Sequence, residues 1–345
     1  MENEKQFGKG AIIDKPDNRD ILYSKVAMGS TPFDWSTGYD IETVLGTALG
    51  NQAFKISSKD QNGSGSCGGQ AWSYAGAVLE GLVTGTYEER SAKFIYSQTY
   101  VLPAGSDGRT NCELVKNQGW AREAVCASYD GGNPPSEVFM QRKSDITPEA
   151  KNDANKAKAL VYGNVTVSID AVAKAIRDEG GVILGITGKN NGTWLSSFPK
   201  PPDKIDRDCW NHWVYCGKAK MINGKKYIGL KNSWGNIGES GWQWIGEEYF
   251  VKTYIWSVWT LIFKPVDQAW HHTFTVTLKK GSSGLEVEAL QKALTLEGMF
   301  KGVIDGKFGP ITKAAVEVFQ ARYSLWVDGV VGPKTNRKLN SLYEN

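Results

Sequence analysis

Between residues 67 and 83 (CGGQAWSYAGAVLEGLV) the apolar positions Ala71, Ala75, Val78, Leu79 and Leu82 fall at helical spacing and predict a helix. Residues 91–101 (SAKFIYSQTYV) predict a second helix, and residues 112–126 a third that Gly119 interrupts. Residues 170–179 (DAVAKAIRDE) predict a short amphipathic helix that ends at Gly180–Gly181. From there the pattern changes to strands. VILGIT (182–187), WVYCGKAKMI (213–222), KYIGLKN (226–232) and WQWIG (242–246) are rich in β-branched and aromatic residues. Asn223–Gly224 between two of these runs is a strong hairpin signal. Helices first and strands later predict an α+β domain. Residues 1–50, with Gly, Pro and Asp spread through them, read as mixed and loop-like.

The periodicity breaks after Phe263. Residues 264–276 read as a linker, although FTVTL (274–278) has the composition of a short strand. Residues 277–345 contain an internal repeat: Asp305-Gly306-Lys307-Phe308-Gly309-Pro310-Ile311-Thr312 returns as Asp328-Gly329-Val330-Val331-Gly332-Pro333-Lys334-Thr335. The shared D-G-x-x-G-P-x-T is a tight turn that launches a helix, since Asp-Gly suits the turn and Pro the first helical position. Ser282 or Ser283 caps an earlier helix, so three short helices make a small separate domain. The expected boundaries are 1–263, a linker over 264–276, and 277–345.

Charge and composition narrow the function. The 345 residues carry 40 basic and 37 acidic side chains, a net +3 that does not suggest a nucleic-acid binder. Residues 277–345 hold ten Lys/Arg and seven Asp/Glu, so the whole excess lies in that segment and reads as solvated surface. No apolar run reaches the roughly 18 residues of a membrane span, and MENEKQFGKGAIIDK has no apolar segment of the secretory type. The five Cys, at 67, 112, 126, 209 and 216, form no CxxC pair, and only three His exist, so no metal or other cofactor is expected. Cys209 and Cys216 are too far apart on one strand to bond each other, while Cys112 and Cys126 either pair or stay free. His271-His272 reads as linker. Seven of the 13 Trp fall between Trp210 and Trp259.

Thiol chemistry is the reading these features leave. Gln61-Asn62-Gly63-Ser64-Gly65-Ser66-Cys67 delivers a Cys on a Gly-rich loop to the start of the first predicted helix. A helix N-terminus and a nearby imidazolium lower a thiol pKa from about 8.5, and the Cys67 N–H with a Gln61 N–H could hold an oxyanion. Asn211-His212 and, twenty residues on, Lys231-Asn232-Ser233-Trp234-Gly235 flank the predicted hairpin. The Asn232 carbonyl would orient His212, with Trp234 covering the hydrogen bond. A two-residue turn at 223–224 pairs His212 with Gly235 and Asn232 with Tyr215. The pair therefore needs a bulge, a different loop, or an Asn beyond the strand end.

Taken together, Gln61, Gly65-Ser66-Cys67, Asn211-His212 and Lys231-Asn232-Ser233-Trp234-Gly235 resemble the papain-like cysteine peptidases over roughly residues 10–263. The Cys-to-His separation, 212 minus 67, is 145, within the family spacing of about 130–150. Phe33-Asp34-Trp35 and the stretch from Gly119 to Tyr129 add to the likeness. The resemblance implies a two-lobed domain, one helical and one β-rich. It implies Cys67 as nucleophile, His212 as general base then acid, Asn232 as orienter and Gln61 as oxyanion donor. Ser64 and Gly68 stand where the family often has a disulfide Cys and an aromatic. No long inhibitory stretch precedes residue 30, so activation by its removal is not expected. The C-terminal segment resembles a three-helix peptidoglycan-binding module through Leu290-Gln291, Phe319-Gln320 and the two Asp-Gly turns, over about residues 277–342.

The leading expectation is a monomeric, lysin-like cysteine endopeptidase that binds bacterial peptidoglycan and cuts a peptide or protein substrate there, with no nucleic-acid or membrane partner. It would act at the wall or extracellularly; a phage-encoded enzyme held in the cytoplasm until lysis fits the absent leader. The alternatives are a general proteinase merely anchored at the wall and a catalytically silent wall-binding protein.

Overall fold

In a computed structural model, which describes residues 10–15, 17, 20, 23, 31–131, 135–263, 272–300 and 302–343, the chain divides into two compact units. The first contains residues up to 20 and 31–263; the second contains 264–345 and groups with 21–30.

In the first unit the helices are α1 (Ile41–Ala48), α2 (Cys67–Thr84), α3 (Ala92–Thr99), α4 (Gly108–Asn117), α5 (Glu137–Gln141), α6 (Pro148–Ala154) and α7 (Ile169–Glu179). The strands are β1 (Ala11–Ile12), β2 (Tyr39–Asp40), β3 (Ser106–Asp107), β4 (Ala159–Asn164), β5 (Val182–Lys189), β6 (Cys209–Ile222), β7 (Lys225–Lys231), β8 (Trp242–Gly246) and β9 (Ile255–Phe263). A helical lobe formed around α2 to α6 faces a seven-stranded sheet of order β4-β9-β5-β6-β7-β8, with β2 added beside β6. This is the α+β, two-lobed arrangement expected from the sequence. No helix among the described residues is long and apolar enough to cross a membrane.

Helix α2 is buried nearly all round, so its amphipathic signature is weak and its small residues matter more. Gly69 lies against the Ala92 carbonyl and Gly76 against the Trp120 ring, approaches that a Cβ would prevent. Trp72 on α2 meets Trp213 on β6 edge to face, with centroids 5.1 Å apart. That contact joins the lobes at the core. The predicted helix over 112–126 is instead α4 ending at Asn117. Gly119 is left-handed at φ 88°, and a Cβ there would stand 2.0 Å from the Ala154 carbonyl oxygen. Beyond it Arg122 bridges Arg90, and residues 123–126 form a turn in which the Val125 and Cys126 N–H groups donate to the Arg122 carbonyl.

The hairpin turn sits at Asn223–Gly224 as expected, with Ile222 opposite Lys225. Lys218 still faces Gly229, but Cys216 faces Leu230 and Tyr215 faces Lys231, so Gly217 is an extra residue in β6. The bulge moves the continuing register by one. His212 now falls level with Trp234 instead of Gly235. Since side chains alternate between faces, the shift puts Asn232 on the same face as His212, where an unbroken ladder would put it on the other.

The second unit holds α8 (Leu285–Leu296), α9 (Pro310–Arg322) and α10 (Pro333–Tyr343). The repeat is closed by two matching cages. Gln291 Oε1 accepts the N–H groups of Asp305 and Gly306 at 3.0 and 2.9 Å, and its Nε2 faces Asp305 Oδ1, the Lys307 carbonyl and Thr312 Oγ1. Gln320 does the same for Asp328 and Gly329 at 3.1 and 2.9 Å, with Asp328 Oδ1, the Val330 carbonyl and Thr335 Oγ1. Residues 272–276, expected as linker, belong to this unit. Phe274 is buried and bonded through its N–H and carbonyl to Asn340, and the His272 N–H donates to the Tyr343 carbonyl. The 274–278 segment contributes only an isolated bridge, Leu278 to Val331, and no strand. His271 and residues 264–270 lie outside the described residues.

A side chain at the bulge has no room: a Cβ on Gly217 would stand 2.6 Å from Ile41 Cγ2. Gly217→Val is expected to lower the unfolding free energy by about 1–3 kcal/mol, whereas Lys225→Ala at the exposed hairpin end stays within about 0.5 kcal/mol. Urea unfolding of the two variants measures this.

Candidate active site

Cys67 is the first residue of α2, and the loop that delivers it is fastened on both sides. Within the loop, the Ser64 N–H and Oγ donate to the Gln61 carbonyl at 2.9 and 2.6 Å. On the helical side, the Gly65 N–H donates to Glu137 Oε2 at 2.5 Å. The other carboxylate oxygen accepts Tyr96 Oη–H, whose oxygen in turn accepts the Gly105 N–H at 2.7 Å. On the sheet side, the Gln61 N–H donates to the Ser233 carbonyl at 2.8 Å, and Ser233 Oγ donates to Gln61 Oε1 at 2.5 Å. Gln61 Nε2 donates to the Ser64 carbonyl at 2.5 Å, which uses one of its two protons. The Gly-rich loop before Cys67 and the segment after β7 are thus held as one piece.

His212 projects from β6, and Asn232 lies one residue past the end of β7. Asn232 Oδ1 lies 2.9 Å from His212 Nε2 and also accepts the Ser233 N–H at 2.8 Å. Asn232 Nδ2 donates to Gln243 Oε1 at 2.9 Å, and Gln243 Nε2 donates to the carbonyls of Trp194 and Ser196, both at 2.8 Å. This chain of amides orients Asn232 with its oxygen toward the imidazole, so the proton sits on Nε2. Nδ1, buried, has no hydrogen-bond partner among the described residues. Trp234 stacks on the imidazole, with centroids 4.6 Å apart and planes 25° apart. Trp194 and Trp210 close edge-on around Trp234 and shut water out of the His–Asn bond.

Cys67 and His212 are both fully buried. Burial pushes the Cys67 thiol up to about 12, while the nearby main-chain N–H groups of Trp213, Gly68, Gly10 and Cys67 itself pull the other way. Burial pushes His212 down to about 4, opposed by the bond to Asn232. The helix N-terminus expected to depress the thiol is opposed here by burial, which works against charge on either group.

The cover over the thiol is the chain's own N-terminal segment. Strand β1 runs parallel to β3, the Ser106 N–H donates to the Gly10 carbonyl at 2.8 Å, and Gly10 is pressed on Gly65 so closely that a Cβ would stand 1.9 Å from the Gly65 carbonyl oxygen. Asp14 pins the segment: its carboxylate accepts the Arg109 N–H, Trp259 Nε1–H and Ser257 Oγ–H at 2.9–3.0 Å. Residues 10–14, which the sequence reading left as loop, occupy the approach to Sγ. Gln243, Glu137 and Asp14 are the other participants that reading missed. A Gln between the two Trp of WQWIG, fully buried, is the one that its pattern could have flagged. All five cysteines are free thiols, so Cys112 and Cys126 do not pair.

Comparison with solved structures places the fold. Xylellain, a cysteine protease from Xylella fastidiosa, matches 76% of this chain and 98% of its own at 19% identity with a TM-score of 0.57. The first unit has the papain-like fold. A family model for the peptidoglycan binding domain matches residues 283–339. The zinc D-Ala-D-Ala carboxypeptidase of Streptomyces albus G is 43% identical over 79 residues, 21% of this chain and 30% of that protein. The spore cortex-lytic enzyme of Bacillus cereus is 40% identical over 62 residues, 18% of this chain and 24% of that protein. The chain thus spans less than a third of the length of these two curated relatives.

Two outcomes follow from the buried, covered pair. For His212, a folded pKa of about 4 against an ordinary 6.5 means the unfolded chain binds the extra proton between those values, so stability falls as pH drops through that window. For Cys67, a folded pKa of about 12 against 9 means stability falls as pH rises above 9. The His212 contribution amounts to about 3 kcal/mol at full protonation, and His212→Gln is expected to flatten the acid limb of urea midpoints measured across pH 4–7. Separately, Gly10→Val, which forces a Cβ into the Gly65 carbonyl, and Asp14→Ala, which removes the hydrogen bonds that seat the segment, are each expected to cost about 1–3 kcal/mol and to speed iodoacetamide labelling of Cys67 at least roughly ten-fold; peptide mapping against the other four cysteines reads this out.

Proposed function

We propose that the protein is a cysteine endopeptidase of the bacterial cell wall, with Cys67 as nucleophile, His212 as general base and then acid, Asn232 as orienter and Gln61 as oxyanion donor. The observation that carries the reading is the Asn232 Oδ1 to His212 Nε2 bond of 2.9 Å under the Trp234 ring, which leaves Nδ1 bare on a residue adjoining Trp213, whose main chain lies beside the Cys67 thiol. A lone structural histidine would have both nitrogens satisfied.

With residues 10–14 displaced, water enters and the desolvation that works against charge on both groups is relieved. Nδ1 then takes the thiol proton, and the thiolate attacks the scissile carbonyl carbon. The oxyanion is met by the Cys67 N–H and the second Nε2 proton of Gln61. His212 gives its proton to the leaving amine, and water, activated by the same nitrogen, releases the acyl group. Asn232 keeps the imidazole in the tautomer each step needs.

The module at 283–339 supplies the location. Its family description names peptidoglycan, and the curated relatives are named for D-Ala-D-Ala carboxypeptidase and spore cortex-lytic activities, which supports a wall substrate. Tethering raises the local concentration of wall peptides at the cleft without touching the catalytic groups. The deciding assay compares purified peptidoglycan with denatured casein. Wild type is expected to release new amino termini from peptidoglycan, and Cys67→Ala is expected to release none while melting at the wild-type temperature. Cleavage of casein alone would move the reading to a general proteinase anchored at the wall, and full activity in Cys67→Ala would remove the thiol mechanism.

A further inference from the structure

The two cages of the C-terminal unit engage the aspartates and leading N–H groups of their turns. Asp305 and Asp328 are both bonded to a Gln amide and to a main-chain N–H two residues on. The charged side chains packed on Gly329, Lys313 and Glu317, pair with each other. What each turn presents outward is the apolar pair just before its Asp-Gly. In the first copy Val303 is 81% exposed and Ile304 43%; in the second, Trp326 is 82% exposed and Val327 51%. Positions 303 and 326 are equivalent, 23 residues apart like the rest of the repeat. A valine left in solvent serves the first turn, so the fold makes no demand for an indole at the second. An indole four-fifths in water, on a turn held rigid by five hydrogen-bond contacts to one Gln, marks a ligand contact.

We propose that Trp326, with Val327 at its edge, is the saccharide contact of the wall-binding module, its indole face stacked on one sugar ring of the peptidoglycan glycan strand. The inference rests on the wall-binding reading of residues 283–339. A pyranose ring offers an apolar C–H face rimmed by hydroxyls, which matches a flat apolar surface with one N–H donor at its edge. The charged stem peptide would call for a free charge at the contact, whereas Asp328 is bonded to Gln320 and Lys313 pairs with Glu317, so what the turn offers most openly is the ring.

The test uses the full chain and pelleting with purified sacculi. Trp326→Ala is expected to weaken retention about ten-fold, as truncation of an aromatic anchor does, with its melting temperature unchanged because the ring is exposed. Trp326→Phe should recover most of the loss, and Val303→Ala should shift retention less than about two-fold. Soluble N-acetylglucosamine tetramer should compete for wild type, and sacculi stripped of stem peptides by an amidase should still retain it. Equal pelleting of wild type and Trp326→Ala would overturn the saccharide contact alone. Loss of wild-type binding on stripped sacculi would move recognition to the stem peptide. Failure of wild type to pellet on intact sacculi would overturn the wall-binding reading itself.

Discussion

The side-chain amide of Asn232 is the fixed point of the papain-like unit. Its oxygen holds the imidazole and the Ser233 N–H, and its nitrogen is spent on Gln243, which is itself locked by two carbonyls. In a site without water a reversed amide would set donor against donor at His212 and at Ser233, so only one orientation survives. Everything nearby serves that geometry. The Gly217 bulge brings the two residues to one face, Trp234 covers the bond, and Ser233 carries the same rigidity across to Gln61 and the loop before Cys67. The result is a histidine whose bonded nitrogen is fixed by an asparagine, which is fixed by a glutamine on the neighbouring strand.

Much of this was legible along the chain because it is local. The Cys67 helix, the Asn223–Gly224 turn and the order Gln61, Cys67, His212, Asn232 depend on residues close in sequence or on short motifs. The turn alone, however, gives the wrong face for Asn232. The correction comes from Gly217, whose bulge is set by its contacts with Ile41 and Tyr215, residues that no periodicity connects. Strands β4 and β9 pair across nearly a hundred residues and carry no turn signal between them. Residues 112–126 show the converse failure: the helical pattern is present, but a glycine wedged against two carbonyls ends it. A helix N-terminus that favours a thiolate is visible in sequence, while the burial that opposes it is not.

The second unit was read more fully, since a repeat tests itself. Each Asp-Gly turn is closed by a Gln from the helix before it, and the same five contacts appear twice. Its start was placed too late, because Phe274 docks on Asn340 by main-chain bonds that side-chain periodicity does not announce.

The segment over Cys67 also bears on the chemical durability of that thiol. Oxidation of a cysteine to sulfenic acid begins with a thiolate and needs a path for peroxide. Cys67 has no exposed surface, and burial pushes its thiol up, away from the thiolate. In this conformation it is as sheltered from oxidants as the buried cysteines Cys112 and Cys216. The Asp14 anchor, which seats the segment carrying Gly10, thereby contributes to the oxidative durability of the sulfur.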